Sequence, residues 1–170
     1  MTAARPAPFD PLRALKVLND HGVRFVLIGG FAGRLQGSPT VTNDLDLCYA
    51  RDPENLERLA AALQELHARL RGAPDNIPFV LDPNTLAAGL NFTFATDAGN
   101  LDVLAPSGVR TFEELERTAE PMDLDGLTVN VASLDDLIRM KQASARPKDL
   151  IEAEVLGALR EELESPATEP

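Results

Sequence analysis

The residues of this chain with the clearest chemical potential are a glycine pair and three aspartates. Asp44 and Asp46 flank Leu45 at the start of an apolar run, Leu45-Asp46-Leu47-Cys48-Tyr49. Alternate side chains of a strand share a face, so Asp44 and Asp46 point one way and Leu45 and Leu47 the other. Gly29-Gly30 closes an earlier apolar run, Phe25-Val26-Leu27-Ile28, and Gly30 lies fourteen residues before Asp44. A glycine turn between a strand and a helix exposes backbone N–H groups, and the helix N-terminus adds partial positive charge. Mg²⁺ is a hard cation that binds through a few carboxylates plus phosphate oxygens. Together these parts suit a metal-bound triphosphate. Asp102, flanked by Leu101 and Val103, projects from the same sheet face if its strand neighbours theirs. A third carboxylate there could deprotonate an incoming hydroxyl or bind a second metal about 3.5–4 Å from the first.

The elements that must position these residues follow from pattern and punctuation. Asp10-Pro11 reads as an N-cap followed by proline at the first helical position, and His21-Gly22 ends that helix. Residues 24–28 form a strand, Phe31–Leu35 a short helix, Ser38–Asn43 a polar loop and residues 44–50 a second strand. Asp52-Pro53 repeats the helix start, and Leu56, Leu59, Leu63, Leu66 and Leu70 predict one long helix, stopped at Arg71-Gly72-Ala73-Pro74. Phe79-Val80-Leu81 is a candidate short strand and Pro83–Ala88 a helical turn. Asn91–Thr96 alternates as a half-buried strand, Asp97–Asn100 turns, and Leu101–Leu104 returns. A short acidic helix is expected over Thr111–Thr118 and a strand over Leu127–Val131. A capping box at Ser133–Asp136 opens another helix, and a final one starts at Pro147. Regular alternation of strand and helix fails after residue 90. The expected fold is therefore α+β, a small mixed β-sheet with helices packed on it. Residues 10–163 read as a single domain, residues 1–9 as a flexible N-terminus and residues 164–170 as a disordered tail.

Composition narrows the classes. The chain has 170 residues, enough to bury a substantial core. No apolar stretch approaches the roughly 20 residues needed to span a bilayer, and the N-terminus has no apolar core resembling a signal peptide. Cys48 is the single cysteine, which excludes an internal disulfide framework and a Cys-based zinc site. No membrane partner and a cytoplasmic location are the resulting expectations. His21 and His67 look structural. The net charge of −11 opposes long-range attraction to a nucleic-acid backbone. A local basic cluster, Arg139, Lys141, Arg146 and Lys148, is the best candidate for an exception, against the simpler reading of a solvated helix end.

The order strand, Gly29-Gly30, short helix, Asp44-Leu45-Asp46, then Asp102 on a later strand resembles the nucleotidyltransferase superfamily of the DNA polymerase beta type. The run Ser133-Leu134-Asp135-Asp136-Leu137-Ile138-Arg139-Met140-Lys141, then Arg146-Pro147-Lys148-Asp149-Leu150, is similar to its small bacterial toxin-type, AbiEii-like branch. The likeness covers about residues 24–156. It implies a nucleotidyltransferase-like fold and a metal-dependent transfer of a nucleoside monophosphate from an NTP such as ATP to a hydroxyl acceptor. That acceptor would be RNA (a tRNA end), a protein side chain or a small molecule. Asp44, Asp46 and Asp102 would be the metal and catalytic carboxylates for Mg²⁺ (or Mn²⁺), and Gly29 and Gly30 the phosphate seat. Lys141 would contact phosphate, and Asp149 would be a structural or active-site partner. A toxin–antitoxin setting with an antitoxin partner is the further implication. Two departures stand out. Gly30 lacks the hydroxyl of the serine common in that family, and no arginine precedes Asp44 by a few residues; Arg34 is the candidate substitute in nucleotide binding. These departures support an alternative, a catalytically inactive nucleotidyltransferase-like module that binds a partner or acts as an antitoxin.

Overall fold

A computed structural model describes residues 7–74, 76–106 and 108–165. In chain order its elements are α1 (Pro11–Asp20), β1 (Phe25–Ile28), α2 (Gly29–Leu35), β2 (Asp44–Tyr49), α3 (Pro53–Glu65), β3 (Arg69–Leu70) and α4 (Pro83–Ala88). They continue with β4 (Asn91–Thr96), β5 (Gly99–Leu104), α5 (Phe112–Thr118), β6 (Glu120–Leu124), β7 (Leu127–Val131), α6 (Leu134–Ser144) and α7 (Pro147–Glu164). The strands form one seven-stranded mixed sheet in the order β3-β4-β5-β2-β1-β7-β6. β1 runs antiparallel to β2 and parallel to β7, while β2 runs parallel to β5. The expected α+β architecture, a mixed sheet with helices packed on it, is present.

Local chemistry explains the helix starts. Asp10, Asp52, Asp82, Thr111 and Ser133 each accept a hydrogen bond from a backbone N–H in the first turn of the helix that follows. The centre of the sheet is dry: every residue of β1 is buried, and Leu45, Leu47, Leu101 and Val103 are at most 1% exposed. Burial of these β-branched and leucine side chains is the main force holding β2 between β1 and β5. Asn55 of α3 fixes the far end of this pair. It accepts from the Arg24 N–H at 2.7 Å and donates to the carbonyls of Arg24 and Ala50. Asp136 is fully buried in α6, where Arg110 and Thr118 donate to it and tie α6 to α5.

The structure departs from the sequence pattern in several places. The helix expected to run to Leu70 stops at Glu65. His67 adopts a left-handed backbone (φ 50°), and the Ala68 N–H bonds back to the Leu63 carbonyl at 3.0 Å, closing the helix end. Arg69 and Leu70 then pair with Ala95 and Phe94 of β4, so Leu70 belongs to the sheet and falls on the leucine stripe by coincidence. Phe79-Val80-Leu81 is not a strand. Phe79 packs near Phe92 and Phe94, with ring centroids 6.4 and 6.1 Å apart, and the Leu81 carbonyl accepts from Gln64. β6, an edge strand with Pro121, was not expected. α2 begins at Gly29 rather than Phe31, and β5 begins at Gly99 rather than Leu101. Much of the expected flexible start and most of the expected disordered tail lie outside the described residues. Phe9, within the expected flexible start, instead packs edge-on against Phe31 at 6.1 Å. Among the described residues no helix is long and apolar enough to cross a membrane. Cys48 is buried, 1% exposed.

Candidate active site

β2 sits between the strand that precedes the glycine pair and the strand that carries Asp102. Asp46 lies opposite Ile28 of β1 on one side and opposite Asp102 of β5 on the other; Asp44 lies opposite Asn100. Neighbouring strands are about 4.8 Å apart, and directly paired residues share a face. The sheet therefore brings Asp44, Asp46 and Asp102 to one patch. β5 alternates buried and half-buried, with Asn100, Asp102 and Leu104 on the accessible face.

The glycine turn is pressed against that patch. Gly29 has φ +73°, and a Cβ there would lie 2.1 Å from Asp46 Oδ2. No other residue fits both the backbone conformation and the space. A Cβ at Gly30 exists only as a tight contact in any variant, 3.1 Å from Thr42. The short loop from Ser38 to Asn43 folds over this turn: Thr42 Oγ1 donates to the Asp44 carbonyl at 3.3 Å, and Ser38 Oγ donates to Thr40 Oγ1 at 3.2 Å. A narrow cleft beside it is lined by Gly29, Gly30, Ser38, Thr40, Lys141 and Glu152. Ser38 and Thr40 thus place hydroxyls next to the glycines, where Gly30 itself has none. They were read in the sequence only as a polar loop.

The electrostatics are those of crowded like charges. Burial, then the neighbouring Asp102 charge and a hydrogen bond shared with it, then Asp44, push the Asp46 carboxyl up to about 7, with Lys141 pulling the other way. Burial also raises Asp102, opposed by Arg71. Arg71 donates to Asp102 Oδ1 at 2.9 Å, which favours the charged form of Asp102 against that burial. Arg71 was read in the sequence only as part of a helix stop. It stands in this patch because β3 ends beside β4: the Arg71 N–H bonds to the Thr93 carbonyl at 2.9 Å, aiming its side chain across β4. Arg34 lies exposed in the last turn of α2 and makes no hydrogen bond or ion pair with the three carboxylates.

Lys141 projects from α6 into the cleft, where it pairs with Glu152 and with Asp149 at 3.4 Å. Asp149 is buried and held to about 2 by hydrogen bonds from Ser144 and Arg146, aided by Lys141. Each member of the basic cluster has an acidic neighbour in the chain, while Arg139, Arg146 and Lys148 stay exposed. Arg139 pairs with Asp136, Arg146 with Asp149, and Lys148 with Glu152 at 4.0 Å.

The donor set suits a hard divalent cation. Among the described residues no three of His, Cys, Asp and Glu converge as a ready metal cage; Arg71 bonds Asp102, and Asn100 donates to Asp44 at 3.4 Å. Mg²⁺ bound with a nucleotide needs only one or two carboxylates, the phosphates supplying the rest. The adjacent like charges of Asp44, Asp46 and Asp102 are what such an ion would compensate.

No family model matches the chain, and no curated protein matches it in sequence. The fold, however, matches solved structures. The lincosamide antibiotic adenylyltransferase LnuA, solved with lincomycin bound, aligns with a TM-score of 0.57 and 11% identity over 88% of this chain and 95% of that one. ANT(2")-Ia, solved in complex with adenylyl-2"-tobramycin, aligns with a TM-score of 0.52 and 16% identity over 90% of this chain and 96% of that one. The nucleotidyltransferase-like protein TM1012 from Thermotoga maritima gives 0.51 and 18% over 92% and 97%. The chain thus has a nucleotidyltransferase-like fold.

Proposed function

We propose that this chain is a metal-dependent nucleotidyltransferase that moves a nucleoside monophosphate from an NTP to a hydroxyl of a small molecule. The observation that carries the reading is the parallel register of Asp46 with Asp102, directly beside a Gly29 whose missing Cβ leaves room for nothing but Asp46. Asp44 and Asp46 would hold Mg²⁺ or Mn²⁺, which supplies charge neutralisation at the triphosphate. The N–H groups of Gly29 and Gly30, with the hydroxyls of Ser38 and Thr40, seat phosphate oxygens. Lys141 neutralises charge developing on the leaving pyrophosphate. Asp102 accepts the proton of the acceptor hydroxyl as its oxygen bonds to the α-phosphorus and the bond to the β-phosphate oxygen breaks. A small acceptor is favoured over RNA because the net charge is −11 and the basic cluster is paired within the chain. The structural neighbours LnuA and ANT(2")-Ia, by their names and bound molecules, act on antibiotics of that size.

Calorimetric titration with Mg·ATP and the other Mg·NTPs tests the reading. Binding by the wild type that is lost in Asp44→Asn and Asp46→Asn supports it; no binding, or binding that ignores both substitutions, sinks it. A specific observation favours a second reading. Lys141 is held by Glu152 and Asp149, which, with the missing serine and arginine, fits a catalytically inactive nucleotidyltransferase-like module that binds a partner or acts as an antitoxin. Nucleotide binding without turnover of any labelled acceptor, together with a stable complex isolated from cells, would select that reading.

A further inference from the structure

Given nucleotidyl transfer, the acceptor hydroxyl must lie next to Asp102, and the register identifies the surface there. Thr93 lies opposite Asp102, Ala95 opposite Asn100 and Asn91 opposite Leu104; Arg69 of β3 lies opposite Ala95. All of them share the carboxylate face. The other face of the same strands is core, with Phe94, Leu101 and Val103 at most 1% exposed. The carboxylate face of β4 is open: Asn91, Thr93 and Arg69 are exposed, and Ala95 is half-buried. The Arg71 guanidinium spans this face, donating to the Phe94 carbonyl at 3.4 Å and to Asp102 at 2.9 Å. Arg69 makes no ion pair among the described residues. The Arg69 charge acts on Asp97, which is already hydrogen-bonded to His67.

We propose that this open face takes a hydroxyl acceptor that also carries an anionic group, a phosphate or a carboxylate, gripped by Arg71 and Arg69. The inference rests on the nucleotidyl-transfer reading. The single carboxylate that Arg71 holds is the one needed as proton acceptor, so its present partner and its useful partner differ. An anion on the acceptor draws the guanidinium away and frees Asp102, which makes acceptor binding and the arming of Asp102 one event. Asn91 and Thr93 supply neutral hydrogen-bonding groups for the rest of the molecule. A long polyanion is opposed by the net charge of −11.

The test uses the full chain with Mg²⁺ and a non-hydrolysable ATP analogue. Arginine-labelled protein is titrated with glycerol 3-phosphate, glycerate, glycerol and 3-aminopropane-1,2-diol while the arginine Nε–H signals are followed by NMR. Either anion should bind about tenfold tighter than glycerol and shift the Arg71 and Arg69 signals. Arg71→Gln should remove most of that preference, Arg71→Lys should restore part of it, and Arg117→Gln should leave it intact. Equal or tighter binding of the neutral or cationic compound, unmoved arginine signals, or an unchanged preference in Arg71→Gln would overturn the proposal. So would stronger binding by a short oligoribonucleotide with a free 3′-hydroxyl. Binding of the ATP analogue, measured first, separates the two levels. Its failure sinks the nucleotidyl-transfer reading, whereas analogue binding without a charge preference sinks only the anionic acceptor.

Discussion

Gly29 is constrained twice over, because its backbone conformation and its contact with Asp46 each exclude a side chain. Gly29→Ala combines a left-handed strain of about 1–2 kcal/mol with a collision against the carboxylate. It should lower the urea midpoint and abolish Mg·ATP binding; a variant that binds normally would show that the turn is not the phosphate seat. Glu152 sits in the same cleft as a competitor for Lys141. Glu152→Gln should release the ammonium for phosphate and tighten Mg·ATP binding by roughly fivefold, the scale of one partly exposed ion pair, read by titration calorimetry. Asp149 makes a pH prediction. Its carboxyl is held at about 2 in the folded chain, below its unfolded value. Its stabilisation is therefore complete above about pH 4 and lost as the pH falls towards 2. Asp149→Asn should flatten this acid limb, measured as the unfolding midpoint at pH 2 to 5.

At the scale of elements, the end of α6 carries an avoidable cost. Ala145 closes that helix with φ 55° and is exposed, so Ala145→Gly should stabilise the protein by about 1 kcal/mol, visible as a higher melting temperature. The starts of α1, α3, α4, α5 and α6 were legible because each is announced by a capping side chain, as at Asp52-Pro53 or Ser133, whereas α2 has no such cap and starts two residues before the expected Phe31. The end of α3 was not legible, because no glycine marks the left-handed position that His67 takes and Leu70 continues the stripe by chance. β6 was hidden by Pro121 and its acidic neighbours, and it exists because β7 offers a partner, which is tertiary context. In the candidate site, strand periodicity put Asp44 and Asp46 on one face, while the placing of Asp102 beside them depended on the pairing of β5 with β2, which the structure shows. Arg71 could not be read, since it reaches Asp102 across a strand whose pairing with β3 was not foreseen. Ser38 and Thr40 were likewise invisible as site residues, because only the folded loop sets them over the glycine turn.

At the scale of the molecule, the sheet confines like charges that an unfolded chain would separate. Burial and repulsion raise Asp46 to about 7, above its unfolded value, so the folded state holds a proton that the unfolded state has already lost. Stability attributable to this group therefore falls as pH rises from about 4 to 7. Asp46→Asn should raise the urea midpoint at pH 8, with the gain vanishing near pH 4. The strand order has a consequence for biosynthesis. The fully apolar β1 pairs early with β2, its neighbour in sequence, but its other edge waits for Val131 of β7, and β2 waits for β5. On a growing chain the most hydrophobic strand keeps an open hydrogen-bonding edge until more than a hundred further residues have been made. This is the interval in which a nascent chain most needs a chaperone and most readily aggregates.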